Sequence, residues 1–537
     1  MAESEADQEN QKLTALLVAA VAISVLGSSF QYGYNIAVVN APAKLIQSYF
    51  FDLDEISNTT AEPLTLVSVY NTSHGVNGPT DYPLNPATVG VEKVNEENEE
   101  QELTDSQLFL WSFTVSIYTV GGMVGSFSTG FCVKKMGRKG TLLASNSLSI
   151  VGAILMGTSK VADSLEMIIV ARFLLGILAG LATGVVPLYI GEISPKRIRG
   201  GVGVVHQLSI TVGLLTAQVL SLNEILGTEQ LWPLLLAFTG VPSIIQLCVL
   251  PFLPESPRSL LIDKSNELKA REALTKFRGT RDVSNEIREM RREADAEKQT
   301  QQLSAWKVLK NKPVRWQLIS VVFLQVVQQL CGINAIFFYL NRILEDAGVP
   351  ASMQNYASVG VGSVNVVMTI ISVFLMDAAG RKILLAGGYA IAAVFCALMT
   401  ASLNLKDEIS WMSYLSIASV IGFIIGFAIG PGPVPWILTT EFFRQSTRPA
   451  ASAIGSGLNW TFNFTLALIF PFMQKAMGPY VFLFFLAVCV VATVYIIMVV
   501  PETKNKTFQE INLMFAKRNK IKNANLDMNG EDDPLPL

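Results

Sequence analysis

Charge is what this sequence has least of. Lys, Arg, Asp and Glu make up 15% of 537 residues against 50% hydrophobic, and the mean hydropathy is +0.41. A soluble enzyme of this length needs a charged surface that this composition does not supply, and a disordered or fibrous chain would be far less apolar. The charges present are clustered, so long charge-poor runs remain. A net charge of −3 gives no basis for nucleic-acid binding. Histidine is almost missing: His74 and His206 are the only two, and neither has a catalytic neighbourhood. There is no phosphate-cradling glycine loop, so no enzyme, metal centre or cofactor is expected. The five cysteines (Cys132, Cys248, Cys331, Cys396, Cys489) all lie in apolar runs, which excludes a disulfide stapling an outer loop. The acidic start (Glu3, Glu5, Asp7, Glu9) lacks the basic region and cleavage site of a signal peptide, so the first apolar run should persist as a helix. The alternating ten-residue stretches of a membrane barrel are also missing.

What is there is apolar length. Twelve runs, at about 13–41, 108–133, 139–160, 165–191, 200–222, 231–253, 316–344, 353–376, 383–404, 410–440, 449–474 and 478–500, each reach the roughly 20 residues that cross a bilayer. Helices are the spanning form expected, because lipid offers no other partner for the backbone. Lys and Arg concentrate after the even-numbered spans: Lys134, Lys135, Arg138 and Lys139; Lys196, Arg197 and Arg199; Arg381 and Lys382; Arg444 and Arg448. The positive-inside rule therefore puts those loops and both termini in the cytoplasm. The organisation expected is a cytoplasmic N-terminus (1–12), a six-helix half (13–253), a linker (254–315), a second six-helix half (316–500) and a cytoplasmic tail (501–537).

Two segments interrupt the rhythm. Residues 50–107 form an acidic outer loop with twelve carboxylates and one lysine, and carry glycosylation sequons at Asn58 and Asn71. Residues 254–315 hold 15 basic and 10 acidic residues. Stretches 266–278 and 284–298 read as polar helices on the cytoplasmic face, serving either as a solvated connection or as a latch between the halves.

Short motifs recur between the halves. Gly137-Arg138-Lys139 is echoed by Gly380-Arg381-Lys382, Glu192…Arg199 by Glu441…Arg448, and Pro254-Glu255-Ser256 by Pro501-Glu502-Thr503, at separations of 243, 249 and 247 residues. Gly33-Tyr34-Asn35 and Gly332-Ile333-Asn334 correspond at 299, the excess being close to the length of the outer loop. Near-constant offsets indicate two similar six-helix units, the layout of the major facilitator fold. With Pro254-Glu-Ser-Pro-Arg258, Gln328-Gln-Leu-Cys-Gly-Ile-Asn334, Gly430-Pro-Gly-Pro-Val-Pro-Trp436 and Pro501-Glu-Thr-Lys504, this ordered set resembles the facilitative hexose transporters of the GLUT type, in the sugar-porter family, from about residue 12 to 515. The resemblance implies an all-α membrane protein: twelve transmembrane helices in two six-helix pseudo-repeats, with a cytoplasmic helical linker.

A hexose is a ring of hydroxyls with small apolar faces, and it needs amide donors and acceptors beside an aromatic wall. The apolar spans contain Gln207, Gln328, Gln329, Asn334, Asn365, Trp436, Asn459 and Trp460. Amides in lipid need partners, so some could instead tie helices together. The resemblance assigns sugar contact to Gln207, Gln328, Gln329, Asn334, Asn365, Trp436 and Asn459, with Phe337, Phe338 and Phe427 as apolar wall. Gly430, Pro431, Gly432, Pro433 and Pro435 cannot sustain a helical ladder and read as a gate within span ten, with Gly332 a second weak point in span seven. Arg172 within span four, and Arg138, Glu192, Arg199, Arg381, Glu441 and Arg448 at span ends, read as a cytoplasmic clamp, which in the family holds the outward-facing state. Lys134, Ala378 and Ala428 depart from the family pattern and imply a looser clamp in the second half.

Proton coupling needs a carboxylate at membrane depth. The proton-coupled relatives carry Asp where this chain has Asn35, and no Asp or Glu lies away from the span ends. The expectation is uniport of a hexose, glucose with fructose as a second candidate, in the plasma membrane and as a monomer. Trp436, Phe427 and Gly432 resemble glucose carriers, while Tyr32 and Ala428 resemble the fructose-type branch. A proton-coupled porter and a non-transporting sugar sensor are the alternatives.

Overall fold

The computed structural model describes residues 13–51, 103–195, 199–280, 282–299, 305–310, 314–409, 411–443, 447–504, 506, 510–511 and 513–515. The described residues are helical, with no strand among them. Nine helical stretches are long and apolar enough to cross a membrane. Asp105–Thr158 (54 residues) and Ala450–Val499 (50 residues) each hold two passes, and Val204–Leu220 is a shorter apolar helix, which brings the spans to twelve. The first long stretch turns back at Gly137, whose φ of +81° interrupts the helix. The loop carrying Asn58 and Asn71 lies outside the described residues, as do residues 1–12 and the end of the tail.

The helices start where polar caps stand. Thr14 caps span one, Ala15–Ala37, by accepting from Leu17 N–H at 3.2 Å. Thr104 and Gln107 form a reciprocal capping box at the start of span two. Span one contains a π-turn over Val25–Ser29 that hydropathy does not announce. Span seven breaks at Gly332 and again at Tyr339, giving pieces Arg315–Leu330, Ile333–Phe338 and Leu340–Asp346. Span ten breaks between Met412–Ile429 and Val434–Phe442.

The linker is docked on the bundle. Its helices are Glu267–Arg278, Ser284–Gln299 and Ala305–Lys310. Asn266 caps the first and Gly279, with a φ of +71°, ends it. Thr14 donates to the Phe277 carbonyl at 2.8 Å. The buried Arg278 donates to the Ile193 carbonyl at the end of span four, at 2.7 Å, and pairs with Glu286. Ala305–Lys310 packs against span eleven, Arg448–Met477, so the linker touches both the first and the last six spans. This end of the bundle is called the linker face below, and the opposite end the loop face.

Candidate functional site

The breaks in spans seven and ten face each other, and an amide cluster joins them. Gln328, one turn before the first break, donates through Nε2 to the carbonyls of Pro431 and Gly432, both at 2.8 Å. Those carbonyls are available because Pro and the bend remove the N–H groups that would otherwise claim them. Gln328 Oε1 accepts from Asn459 Nδ2 at 2.8 Å. Asn459, on span eleven, accepts in turn from Gln329 Nε2 at 3.0 Å, and Gln329 Oε1 accepts from Asn334 Nδ2 at 2.7 Å. Four of the sequence-derived residues thus form one continuous network at mid-span.

The other candidates are placed differently. Gln207, on span five, is half-buried and makes no side-chain hydrogen bond among the described residues. Asn365, halfway along Ala351–Ala379, also keeps its side-chain amide untied among the described residues. Trp436 is 37% exposed at the start of the second half of span ten, while Phe337 is buried and Phe427 half-buried beside the break. The candidate set therefore divides into amides that hold helices together and groups with free hydrogen-bonding capacity. Gln325 was missed by the sequence reading. It is fully buried, its Oε1 accepts from Asn459 Nδ2 at 3.0 Å, and it belongs to the same network. The signal was present, since Gln325 and Gln328 sit three apart on one helix face.

A second amide cluster, also unread, ties spans one, three and six. Gln31 donates to Asn146 at 3.1 Å and Ser243 at 2.6 Å, and accepts from Ser149 and Thr239. It is wholly buried, so it braces the first six helices.

On the linker face the repeated motifs build the same construction twice. Gly137 and Gly380 adopt φ values of +81° and +92°, a turn that favours glycine. Glu255 accepts from Lys139 N–H at 3.0 Å, and Glu502 accepts from Arg381 and Lys382 N–H, each at 3.0 Å. Each carboxylate so satisfies free donors at a helix start. Arg138 pairs with Glu192 at 2.7 Å and with Asp263, and Ser256 donates to Glu192. Arg381 pairs with Glu441 at 3.3 Å, and Thr503 donates to Glu441 at 2.5 Å.

The sequence model of the sugar (and other) transporter family matches residues 20–515. The chain belongs to the sugar transporter family. The transporter is 45% identical over 519 residues to solute carrier family 2, facilitated glucose transporter member 5, of Mus musculus, covering 97% of this chain and 96% of that one. It is 44% identical over 523 residues to the same member of Homo sapiens, covering 97% and 96%. Member 7 of Mus musculus is 42% identical over 512 residues, covering 95% and 92%. Among solved structures, the transporter superposes on the xylose transporter XylE from E. coli. For its inward open conformation the TM-score is 0.71 at 21% identity, covering 93% of this chain and 99% of that one. For the partially occluded inward open conformation the TM-score is 0.70 at 20% identity, covering 92% and 100%. The likeness to XylE fixes the major facilitator architecture.

One expectation about the clamp is corrected. Arg172 is not part of the linker-face cluster. It lies twenty residues before Glu192 on the same helix, about 30 Å of rise away, and its guanidinium donates to the carbonyls of Asn35 at 2.5 Å and Val115 at 2.9 Å. It also stands over the Tyr118 ring at 4.6 Å. Sequence position within a span does not say which neighbour a long side chain reaches, and here two carbonyls and a ring took it. The two linker-face pairs, Arg138 with Glu192 and Arg381 with Glu441, each stay within one set of six spans. Arg448 forms no ion pair among the described residues, and its Nε is buried without a hydrogen bond. The side chain of Arg199 lies outside the described residues.

Proposed function

We propose that the protein carries a hexose down its gradient by alternating access, glucose first and fructose second. The observation that carries this reading is the amide network spanning the broken helices seven and ten, set in a member of the sugar transporter family. Sugar hydroxyls need groups that donate and accept at one depth, and Gln207, Gln328, Gln329, Asn334, Asn365 and Asn459 supply them from spans five, seven, eight and eleven. Trp436, Phe337 and Phe427 give the apolar wall. Gln328 links this site to the gate, because it holds the Pro431 and Gly432 carbonyls at the break. A hydroxyl that competes for that amide alters the tie between spans seven and ten. Gly430, Pro431 and Pro433 keep that gate bendable.

The loop face is the outer side in this reading, because the linker face carries the Lys and Arg clusters. Both termini are cytoplasmic, the boundaries of the halves fall at 13–253 and 316–500, and Asn58 and Asn71 are glycosylated. The plasma membrane is the working location, and one chain suffices as the transport unit. Arg138 with Glu192 and Arg381 with Glu441 brace each half where it meets the linker and the tail, and Arg199 and Arg448 add positive charge there. The test is uptake of labelled glucose and labelled fructose into proteoliposomes with cross-competition. Saturable uptake of at least one, inhibited by the other, supports the reading, and no uptake of any hexose overturns it.

A further inference from the structure

The loop face is sealed by polar contacts between the first and last six spans. Several are exposed: Tyr356 to Glu224 at 2.7 Å and Lys475 to Asp105 at 2.8 Å. Exposed polar pairs contribute little. One set is shielded and converges on a single residue. Asn341, in the last piece of span seven, donates its backbone N–H to Asn40 Oδ1 at 3.1 Å and accepts through Oδ1 from Asn40 Nδ2, also at 3.1 Å. The same Oδ1 accepts from Ser358 Oγ at 2.6 Å, and Asn341 Nδ2 donates to Asn355 at 2.7 Å. Asn355 then reaches back to the Ser221 carbonyl at 3.3 Å. Asn40 and Ser221 belong to the first six spans, Asn341, Asn355 and Ser358 to the last six. Asn40 and Ser358 are buried.

We propose that Asn341 is the hub of a reversible latch that holds the loop face shut. The inference rests on the alternating-access reading above and assigns a positioning residue to it. The chemistry suits release. Neutral amides leave no buried charge behind when the seam parts, and entering water replaces each bond at small net cost. Asn341 also sits just past the break at Tyr339, on the separate last piece of span seven, Leu340–Asp346.

The experiment uses the full-length chain in intact cells, with Ser112→Cys as reporter and an impermeant maleimide added outside. Ser112 is wholly buried near the loop-face end of span two, against Tyr339 of span seven, so it is reachable only when the seam opens. Asn341→Ala and Asn40→Ala should each speed labelling by at least about two- to tenfold, the range for losing one net hydrogen bond. The double variant should be faster than Asn341→Ala by no more than the one bond left to that variant, from the Asn341 N–H to Asn40 Oδ1, so the two effects should be less than additive. Tyr356→Phe should leave the rate unchanged. If Asn341→Ala does not reach the surface, Asn40→Ala removes the same pair from the other side. Unchanged labelling in Asn40→Ala with normal melting, or an equal rise in Tyr356→Phe, overturns the latch. Labelling needs no sugar, so faster labelling without any hexose uptake by the unmodified protein would retain the latch and remove the transport reading.

Discussion

Gln328 has both amide donors committed to carbonyls of the span-ten break and its acceptor to Asn459, whereas Gln207 and Asn365 have no side-chain hydrogen bond among the described residues. This contrast sorts the site by experiment. Gln328→Ala should raise the half-saturating hexose concentration severalfold and also lower the melting temperature, since each lost bond costs about 0.5–1.5 kcal/mol and leaves buried partners unsatisfied. Gln207→Ala and Asn365→Ala should raise half-saturation while melting stays where it was. Sugar binding and melting measured on the same purified variants check both, and lowered melting with unchanged binding would remove Gln328 from the site. At the linker face, Glu502 carries a pH signature. Burial pushes its carboxyl up, but backbone N–H groups of Lys504, Arg381, Lys382 and Thr503 outweigh this and hold it below the ordinary carboxylate range. A depressed value means the stabilisation is complete above the ordinary carboxylate range and fades as pH falls through the folded value. The melting difference between the unmodified protein and Glu502→Gln should therefore be largest near neutrality and shrink below about pH 4. A difference that does not vary with pH would show that the carboxylate charge plays no part in that turn.

Among the elements, the broken spans carry the mechanism. Span ten loses its ladder at Gly430–Pro433, and the freed carbonyls are the acceptors that Gln328 uses. Replacing Pro431, Gly432, Pro433 and Pro435 together by Ala should let the helix run through and consume those carbonyls internally. The expected outcome is a severalfold lower maximal transport rate with equilibrium sugar binding retained in part, read from initial uptake rates beside binding on the purified variant. Unchanged rates would make the break a packing feature. Much of this element pattern is legible in the sequence. Long apolar runs identify spans because lipid permits little else, and Pro and Gly mark the breaks because they cannot keep the ladder. The charged helices of the linker were also readable, within a residue or two of Glu267–Arg278 and Ser284–Gln299. The π-turn at Val25–Ser29 and the break at Tyr339 were not, since neither follows from a distinctive residue. Nor was the choice of partner by Gln325, Gln31 or Arg172, because hydropathy places a side chain at a depth and does not say which neighbour it meets.

The whole molecule repeats one construction and then departs from it. Arg138–Glu192 is nearly buried, with side chains 10% and 8% exposed, and Asp263 of the linker joins it; Arg381–Glu441 is looser, at 21% and 26%. Breaking a buried pair from one side costs about 3–5 kcal/mol, and a partly exposed one about 0–1 kcal/mol. Glu192→Ala should thus impair folding, while Glu441→Ala, whose pair lies within the last six spans, should leave a folded protein that binds outer-site and inner-site inhibitors as the unmodified one does. Equal loss on both sides would give Glu441 a folding role instead. The largest departure concerns energy. Where a proton-coupled carrier needs a carboxylate at depth, this chain has Asn35, whose amide donates to the Gln31 carbonyl at 2.9 Å and Thr239 at 3.0 Å. The buried cation nearby, Arg172, bonds to carbonyls and stands over a ring. An amide does not titrate, so no proton can be taken up at Asn35 on one side and released on the other. Transport should run to equal sugar concentration and stop, with or without an imposed pH gradient. Proteoliposomes loaded at one pH and diluted into another test this directly, and hexose accumulated above the outside concentration in response to the gradient would overturn uniport.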